Sequence, residues 1–162
     1  MAGPVNGFED FLPMVQGDTS AAAFLAQMVQ ILHLWDDLVD RDAPISDETV
    51  HRGFYAALVL LPQNEFYKEH FDHLNPILVN AITNWRIANL MERHGDEYQH
   101  RIAYILRSSY VDLVTQCALL VGGPDYASEV GYAIRMHAHK ETWEGYQRNL
   151  AAEFAARNDI KE

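Results

Sequence analysis

Four aspartates at the end of a predicted helix have the residue type and spacing that best suit chemistry. Asp36, Asp37, Asp40 and Asp42 lie within seven residues, just before an Ala-Pro break. Asp36 and Asp40 are four positions apart and so share one helix face. Mg²⁺ is commonly held by one or two carboxylates, with waters and substrate phosphates in its other positions. The sequence therefore predicts a candidate metal site at Asp36, Asp37 and Asp40.

The place of these aspartates at a helix C-terminus admits three interpretations. Each negative charge there opposes the helix dipole and costs roughly 0.3–1 kcal/mol at an exposed end. A group of them therefore implies a bound cation, basic side chains nearby, or an end that is freely solvated. The residues alone leave all three open.

A second candidate is a polar face on an otherwise apolar helix. Ser109, Asp112 and Gln116 follow steps of three and four, and Arg107 precedes them. Buried polar groups need partners, because each unsatisfied one costs about 1–3 kcal/mol. These four residues are predicted to bind substrate as a polar cavity wall opposite the aspartates. An internal hydrogen-bond network or an outward face is the alternative.

Apolar residues recur at three- and four-residue steps along the chain, and no strand-like alternation is sustained, so we expect an all-α protein. The short loops favour a single-domain antiparallel bundle of about six helices over residues 1–162. Residues 1–17 are predicted as an irregular lead-in and residues 158–162 as a frayed tail. The predicted helices cover residues 18–40, 46–61, 64–71, 75–94, 96–121 and 125–157, the last with a bend near residues 139–142.

Composition limits the function classes. The chain has 162 residues, of which 49% are hydrophobic, which suffices for one domain with a proper core. A net charge of −11 argues against a general electrostatic surface for nucleic acid, although a local basic patch stays possible. The single cysteine, Cys117, excludes an intramolecular disulfide and a thiolate metal cluster, and its apolar neighbours predict burial. No Walker, HExxH or GxSxG motif is present.

The sequence also predicts a cytoplasmic protein. Residues 1–7 have neither a basic stretch nor a long apolar one, so we expect no signal peptide. No stretch reaches about 18 uninterrupted apolar residues, so we expect no membrane span. One free cysteine is compatible with a reducing compartment.

The stretch Asp36-Asp37-Leu38-Val39-Asp40 resembles the aspartate-rich DDxxD motif of isoprenoid (terpenoid) synthases. That family is all-α and uses the motif, on a helix lining a central cavity, to hold Mg²⁺ against a substrate diphosphate. The resemblance implies a reduced synthase-like fold with Asp36, Asp37 and Asp40 facing the metal. The family's second metal motif has its nearest counterpart at Asp112 and Thr115, with Leu119 in the place of a glutamate.

Other stretches are similar in texture to small proteins of tailed bacteriophages and prophages, namely residues 35–42, 105–124 and 145–157. This similarity implies an accessory or assembly protein without catalysis, with a protein partner or a homo-oligomer. The alternative is an Mg²⁺-dependent protein that handles a small phosphorylated ligand. An all-α nucleotide pyrophosphohydrolase ranks lower, because Glu92 and Asp96 lack the spacing of its acidic pairs.

Overall fold

The computed structural model describes residues 7–41 and 44–159, and these residues form helices and no strands, which confirms the all-α class. A short helix, Phe8–Phe11, is followed by a 3₁₀ turn, Leu12–Val15, and the helix Asp47–Tyr55 continues through a π-helical segment, Ala56–Leu60, into a last turn, Leu61–Gln63. The helices are α1 (Phe8–Phe11), α2 (Thr19–Asp40), α3 (Asp47–Tyr55), α4 (Glu65–Glu69), α5 (Phe71–His94), α6 (Glu97–Leu106), α7 (Val111–Ala138) and α8 (Trp143–Asp159).

Side-chain caps fix three of the predicted helix starts. The Asp18 carboxylate accepts hydrogen bonds from the backbone N–H groups of Ser20 and Ala21 at 3.0 and 2.9 Å and so begins α2. Ser46 caps α3 in the same way, and Asp96 begins α6 with a reciprocal capping box. Each cap satisfies N–H groups that lack a partner within the helix. These three predicted helix starts are therefore confirmed.

The predicted irregular lead-in is partly wrong. Its described residues, from Gly7 onward, include α1 and a 3₁₀ turn, and the side chains of Phe11 and Val15 are fully buried. Tertiary packing against α2 orders a segment that glycine and proline mark as a loop. Residues 1–6 lie outside the described residues, as do residues 160–162 of the predicted tail, and α8 extends through Asp159.

Two predicted helix boundaries are also corrected. The helix expected from residue 75 begins at Phe71, because Pro76 falls near its start and removes only one hydrogen bond of the second turn. The helix expected over residues 96–121 is interrupted at residues 107–110. There the hydroxyls of Ser108 and Ser109 donate to the carbonyls of Ile105 and Leu106, and such local bonds compete with helix continuation.

The long helix α7 bends at Gly122-Gly123-Pro124, between the helices predicted to end at residue 121 and to begin at residue 125. Gly123 has φ 82° and ψ −178°, a conformation outside the helical region. The chain leaves the helix at this residue and re-enters it at Pro124, where proline suits a first turn. The predicted break near residues 139–142 is confirmed, since α7 ends at Ala138 and α8 begins at Trp143.

The main hydrophobic core joins α1, α2, α4, α5 and α7. Its fully buried side chains include Phe24, Leu74, Val114 and Cys117, so the predicted burial of the cysteine is confirmed. Burial raises the pKa of the Cys117 thiol, which keeps it protonated.

Across the described ranges, no helix combines the length and apolar character needed to cross a membrane. The antiparallel order and the synthase-like arrangement stay predictions.

The bend in α7 predicts a strict need for glycine. Replacing Gly123 with alanine places a side chain in a backbone region that is essentially reserved for glycine, so we expect a loss of about 1–3 kcal/mol in unfolding free energy. Urea denaturation measures the difference. Gly145→Ala is the control, because Gly145 lies in α8 without a positive φ and its Cβ would meet only the side chains of Glu141 and Thr142, at 3.2 and 3.3 Å, so a change of no more than about 1 kcal/mol in either direction is expected. Equal losses in the two variants would contradict the strain argument.

Candidate functional site

The three predicted metal-facing aspartates separate at the end of α2. Asp36 and Asp40 share the inward face, with 34% and 8% of their side chains exposed, whereas Asp37 lies on the exposed side of the helix. The Asp36 Oδ1 atom accepts a hydrogen bond from the Trp85 indole N–H at 2.9 Å. Asp42 lies outside the described residues.

Asp40 is tied to the C-terminal helix. The Arg157 guanidinium pairs with the Asp40 carboxylate, and its Nε–H also donates to the Asp40 backbone carbonyl at 3.0 Å. The cation therefore sits where α2 presents both an acid and the negative end of its dipole. The sequence left three interpretations of the acidic cluster open. For Asp36 and Asp40, the structure supports the interpretation in which basic side chains lie nearby.

A buried ion pair lies next to these aspartates. Arg107 Nη1 is 3.1 Å from Glu92 Oε1, and Arg107 Nη2 is 3.9 Å from Asp36 Oδ2. The Tyr146 hydroxyl donates to the same Glu92 oxygen at 2.5 Å, and Glu92 is only 6% exposed. Charge-assisted hydrogen bonds of this kind are about twice as strong as neutral ones, so Glu92 joins α5, α8 and the turn after α6.

The electrostatics of this cluster raise the pKa of two of its carboxyl groups, Asp40 and Glu153, and of one arginine, Arg107. Burial, followed by the nearby Asp36, raises the pKa of Asp40, although Arg157 opposes the shift. Burial also raises the pKa of Glu153, which lies near Arg107 and Arg157. For Arg107, burial acts to lower the pKa, but the carboxylates of Glu92 and Asp36 prevail and raise it. Arg107 therefore stays a cation.

A cleft of about 280 Å³ opens beside Asp36. It lies where α2, α5, the end of α6, the turn 107–110 and the end of α7 meet. The rings of Trp35 and Trp85 form part of its wall and meet edge to face, with centroids 5.9 Å apart. Its lining residues are Leu32, His33, Trp35, Asp36, Ala81, Ile82, Trp85, Tyr104, Arg107, Ser108, Tyr110, Ala138, His139 and Glu141.

The cleft also contains a serine and a histidine in contact. Ser108 Oγ lies 3.2 Å from His139 Nε2 and 3.1 Å from the carbonyl oxygen of Ile105. A serine hydroxyl has one proton, so donation to the carbonyl requires that the histidine nitrogen carries the proton shared with Ser108. In that arrangement His139 does not act as a base toward Ser108. Burial, with help from Arg135, lowers the pKa of His139 and keeps its ring neutral at pH 7.

The four predicted substrate-binding residues do not form one wall. Arg107 lines the cleft, whereas Ser109 is buried and accepts a hydrogen bond from the Asn84 amide at 3.1 Å. Asp112 is half exposed and pairs with Arg135 at 2.7 Å, and Gln116 is half-buried away from the cleft lining. The break at residues 107–110 divides the polar face, because Ser109 and Asp112 no longer follow one continuous helix.

The sequence pattern did not reveal the contribution of the last helix. Tyr146, Leu150, Glu153 and Arg157 follow steps of four, three and four, which places them on one face of α8. The helical spacing of these four residues was the signal available in the sequence, but two of the four residues are charged. In residues 7–41 and 44–159, no three His, Cys, Asp or Glu side chains form a group that could hold a metal ion.

Comparison with known proteins does not assign the chain to a family. No protein-family model, curated protein or solved structure matches this chain. The function therefore has to be argued from the residues and the geometry.

The raised pKa of Glu153 predicts how stability depends on pH. Because the folded protein binds this proton more tightly than the unfolded chain, its contribution is complete below the ordinary value of 4.5 and is lost as pH rises through the folded pKa. Glu153→Gln keeps a neutral group at this position, so we expect it to melt at a higher temperature than the wild type at pH 7. The difference should narrow as the pH approaches 4.5.

Calorimetric melting across that pH range measures the effect. Glu129→Gln removes the same charge from an exposed position of α7 and corrects for the general effect of net charge. An equal stabilisation in both variants would show that the burial of Glu153 is not the cause.

Proposed function

We propose that the protein is a non-catalytic accessory or assembly protein, of the kind that tailed bacteriophages and prophages encode, acting in the cytoplasm. The observation that carries this proposal is an apolar groove of about 410 Å³ between α2 and α3. Contiguous exposed apolar surface of this kind typically marks a site of protein interaction. The similarity in sequence texture supports the phage origin.

The groove has the character of a helix-binding surface. Its walls carry large side chains that stay open to solvent, with 40% of Trp35, 39% of Leu38 and 54% of Phe54 exposed. Leu34 and Gly53 form its floor, where a Cβ on Gly53 would come within 1.9 Å of a Leu34 methyl carbon, so the two helices approach closely. Amphipathic helices bind such grooves through residues at three- and four-residue steps.

The charge of the chain favours a basic partner over a second copy. With a net charge of −11, two copies repel each other over long distances, whereas a cationic partner is attracted and oriented. The occupant that fits best is an amphipathic helix of another protein, with apolar residues toward the groove and lysines or arginines on its flanks.

A model peptide tests the groove directly. We expect a labelled helical peptide, with leucines at helical spacing and lysines elsewhere, to bind with saturable fluorescence anisotropy. Phe54→Glu should weaken this binding about tenfold or more, because it places a charge in an apolar site. Circular dichroism checks that the variant stays folded, since Phe54 is half exposed.

Two controls separate groove binding from general attraction to an acidic protein. Leu90→Glu introduces the same charge at a position of α5 that is 59% exposed and away from the groove, and it should leave binding unchanged. A peptide of the same composition in scrambled order should bind weakly. Equal binding of both peptides, or a wild type that sediments as a dimer which Phe54→Glu dissociates, would overturn the proposed partner.

A second candidate follows from the DDxxD resemblance. In it, Asp36, Asp37 and Asp40 hold Mg²⁺ against a diphosphate, with Arg107 on the phosphate side. The supporting observation is that Asp36 lines the cleft together with Arg107. The pairing of Asp40 with Arg157 is a competing interaction that metal binding would have to displace.

Thermal melting with and without Mg²⁺ or Mn²⁺ distinguishes this candidate from the first. At about a hundred times its dissociation constant, a bound metal should add about 2.7 kcal/mol to the unfolding free energy. The gain should vanish in the Asp36→Asn/Asp40→Asn double variant and persist in Glu129→Gln, which changes an exposed acid of α7. The metal-dependent difference is compared within each variant, because loss of the Arg157 partner lowers stability by itself. A wild type that melts identically with and without metal would reject the second candidate.

A further inference from the structure

The cleft beside Asp36 has four aromatic lining residues, of which only Trp35 also belongs to the groove proposed for partner binding. Trp35, Trp85, Tyr104 and Tyr110 all line it. Its volume of about 280 Å³ is near the lower end for ligand sites, so it suits a small molecule. Aromatic rings attract a cation through their negative faces, so a cleft lined by four such rings favours a cationic ligand.

Carboxylates supply the second attraction. Asp36 and Glu141 line the cleft together with these rings. Asp36 Oδ1 accepts the Trp85 N–H, whereas Oδ2 is 3.9 Å from the nearest Arg107 nitrogen, which is beyond hydrogen-bond distance. An ionised carboxylate has about four acceptor positions, so Asp36 keeps room for a donor from a ligand.

The charge balance around the cleft is negative. The nearby Arg135 is already paired with Asp112 at 2.7 Å. Among the described residues that line the cleft, Asp36 and Glu141 are acidic and Arg107 is the one arginine, and Arg107 is paired with Glu92 outside the lining. This excess favours a positively charged occupant, because the low dielectric of a partly closed site strengthens the interaction.

The same observations disfavour the other ligand classes. An anion would meet Asp36 and Glu141, while Arg107, the cation of the wall, is already held by Glu92 at 3.1 Å. Within the described parts of the chain, no three acidic or histidine side chains are arranged to hold a metal ion. An organic cation needs only one carboxylate together with aromatic faces, and the cleft provides both.

We propose that the cleft binds a small alkylammonium or quaternary ammonium compound, with its cationic head beside the Asp36 carboxylate and the aromatic side chains that line the cleft. The cleft shares one lining residue, Trp35, with the groove proposed for the protein partner, but the two proposals are tested with different probes, so either can fail without the other. Trp35 and Trp85 are two of the three tryptophans of the chain, so intrinsic fluorescence reports on the occupied cleft.

Choline is the probe, and its neutral carbon analogue 3,3-dimethylbutan-1-ol is the matched ligand control. We expect choline to change the tryptophan fluorescence saturably and the neutral alcohol to bind about tenfold weaker or less, a difference of about 1.4 kcal/mol. This comparison uses the wild-type protein alone and so does not depend on a variant that folds. Equal binding of the two compounds, or no saturable choline signal at tens of millimolar, would overturn the proposal.

Variants locate the site. Asp36→Asn keeps the size of the side chain and removes its charge, so it should weaken choline binding about tenfold. Trp85→Phe keeps a ring of lower cation affinity and should weaken binding less. Glu129→Gln removes a charge from an exposed position outside the cleft and should have no effect, with titration calorimetry as a readout independent of the tryptophans. A loss that is the same in Asp36→Asn and Glu129→Gln would show general charge attraction in place of a site.

Discussion

The buried pair of Glu92 and Arg107 is the interaction on which the polar half of the molecule depends. A carboxylate that is 6% exposed is costly to ionise unless donors surround it, and here a guanidinium and the Tyr146 hydroxyl do so. The donors come from the turn after α6 and from α8, while Asp36 of α2 lies on the other side of Arg107. Four parts of the chain therefore meet at one charge pair.

The cost of such a pair explains its geometry. Removing one partner of a buried ion pair leaves the other charge unsatisfied and typically costs 3–5 kcal/mol, whereas the intact pair adds little net stability. The pair therefore specifies one arrangement of α5 and α8 more than it strengthens the fold. The apolar core around Phe24 and Leu74 supplies the main stabilisation, as the hydrophobic effect does in most domains.

Local signals in the sequence predicted local structure well. Asp18, Ser46 and Asp96 each cap a helix through atoms within three residues, so their effect does not depend on the rest of the fold. The bend at Gly123 and the break near residues 139–142 follow from residue types in the same way. The break at residues 107–110 was missed, because apolar periodicity continues through it while two serines redirect the hydrogen bonds.

The candidate site was predictable only in part, since its contacts are distant along the chain. Asp36 was expected to matter, but its partner Trp85 is 49 residues away, and Arg157 is 117 residues from Asp40. No local pattern pairs such residues. Asp36 and Asp40 were correctly placed on one face by their spacing, yet only the fold shows that arginines lie opposite them.

The position of Trp35 links the two surfaces of the protein. Its indole forms part of the wall of the cleft and also part of the wall of the apolar groove, so one side chain separates the two cavities. A molecule that binds in one cavity and moves the Trp35 ring changes the shape of the other cavity. Thermodynamic linkage then requires reciprocity: whatever a cleft ligand does to the affinity of the groove, a groove partner does to the affinity of the cleft.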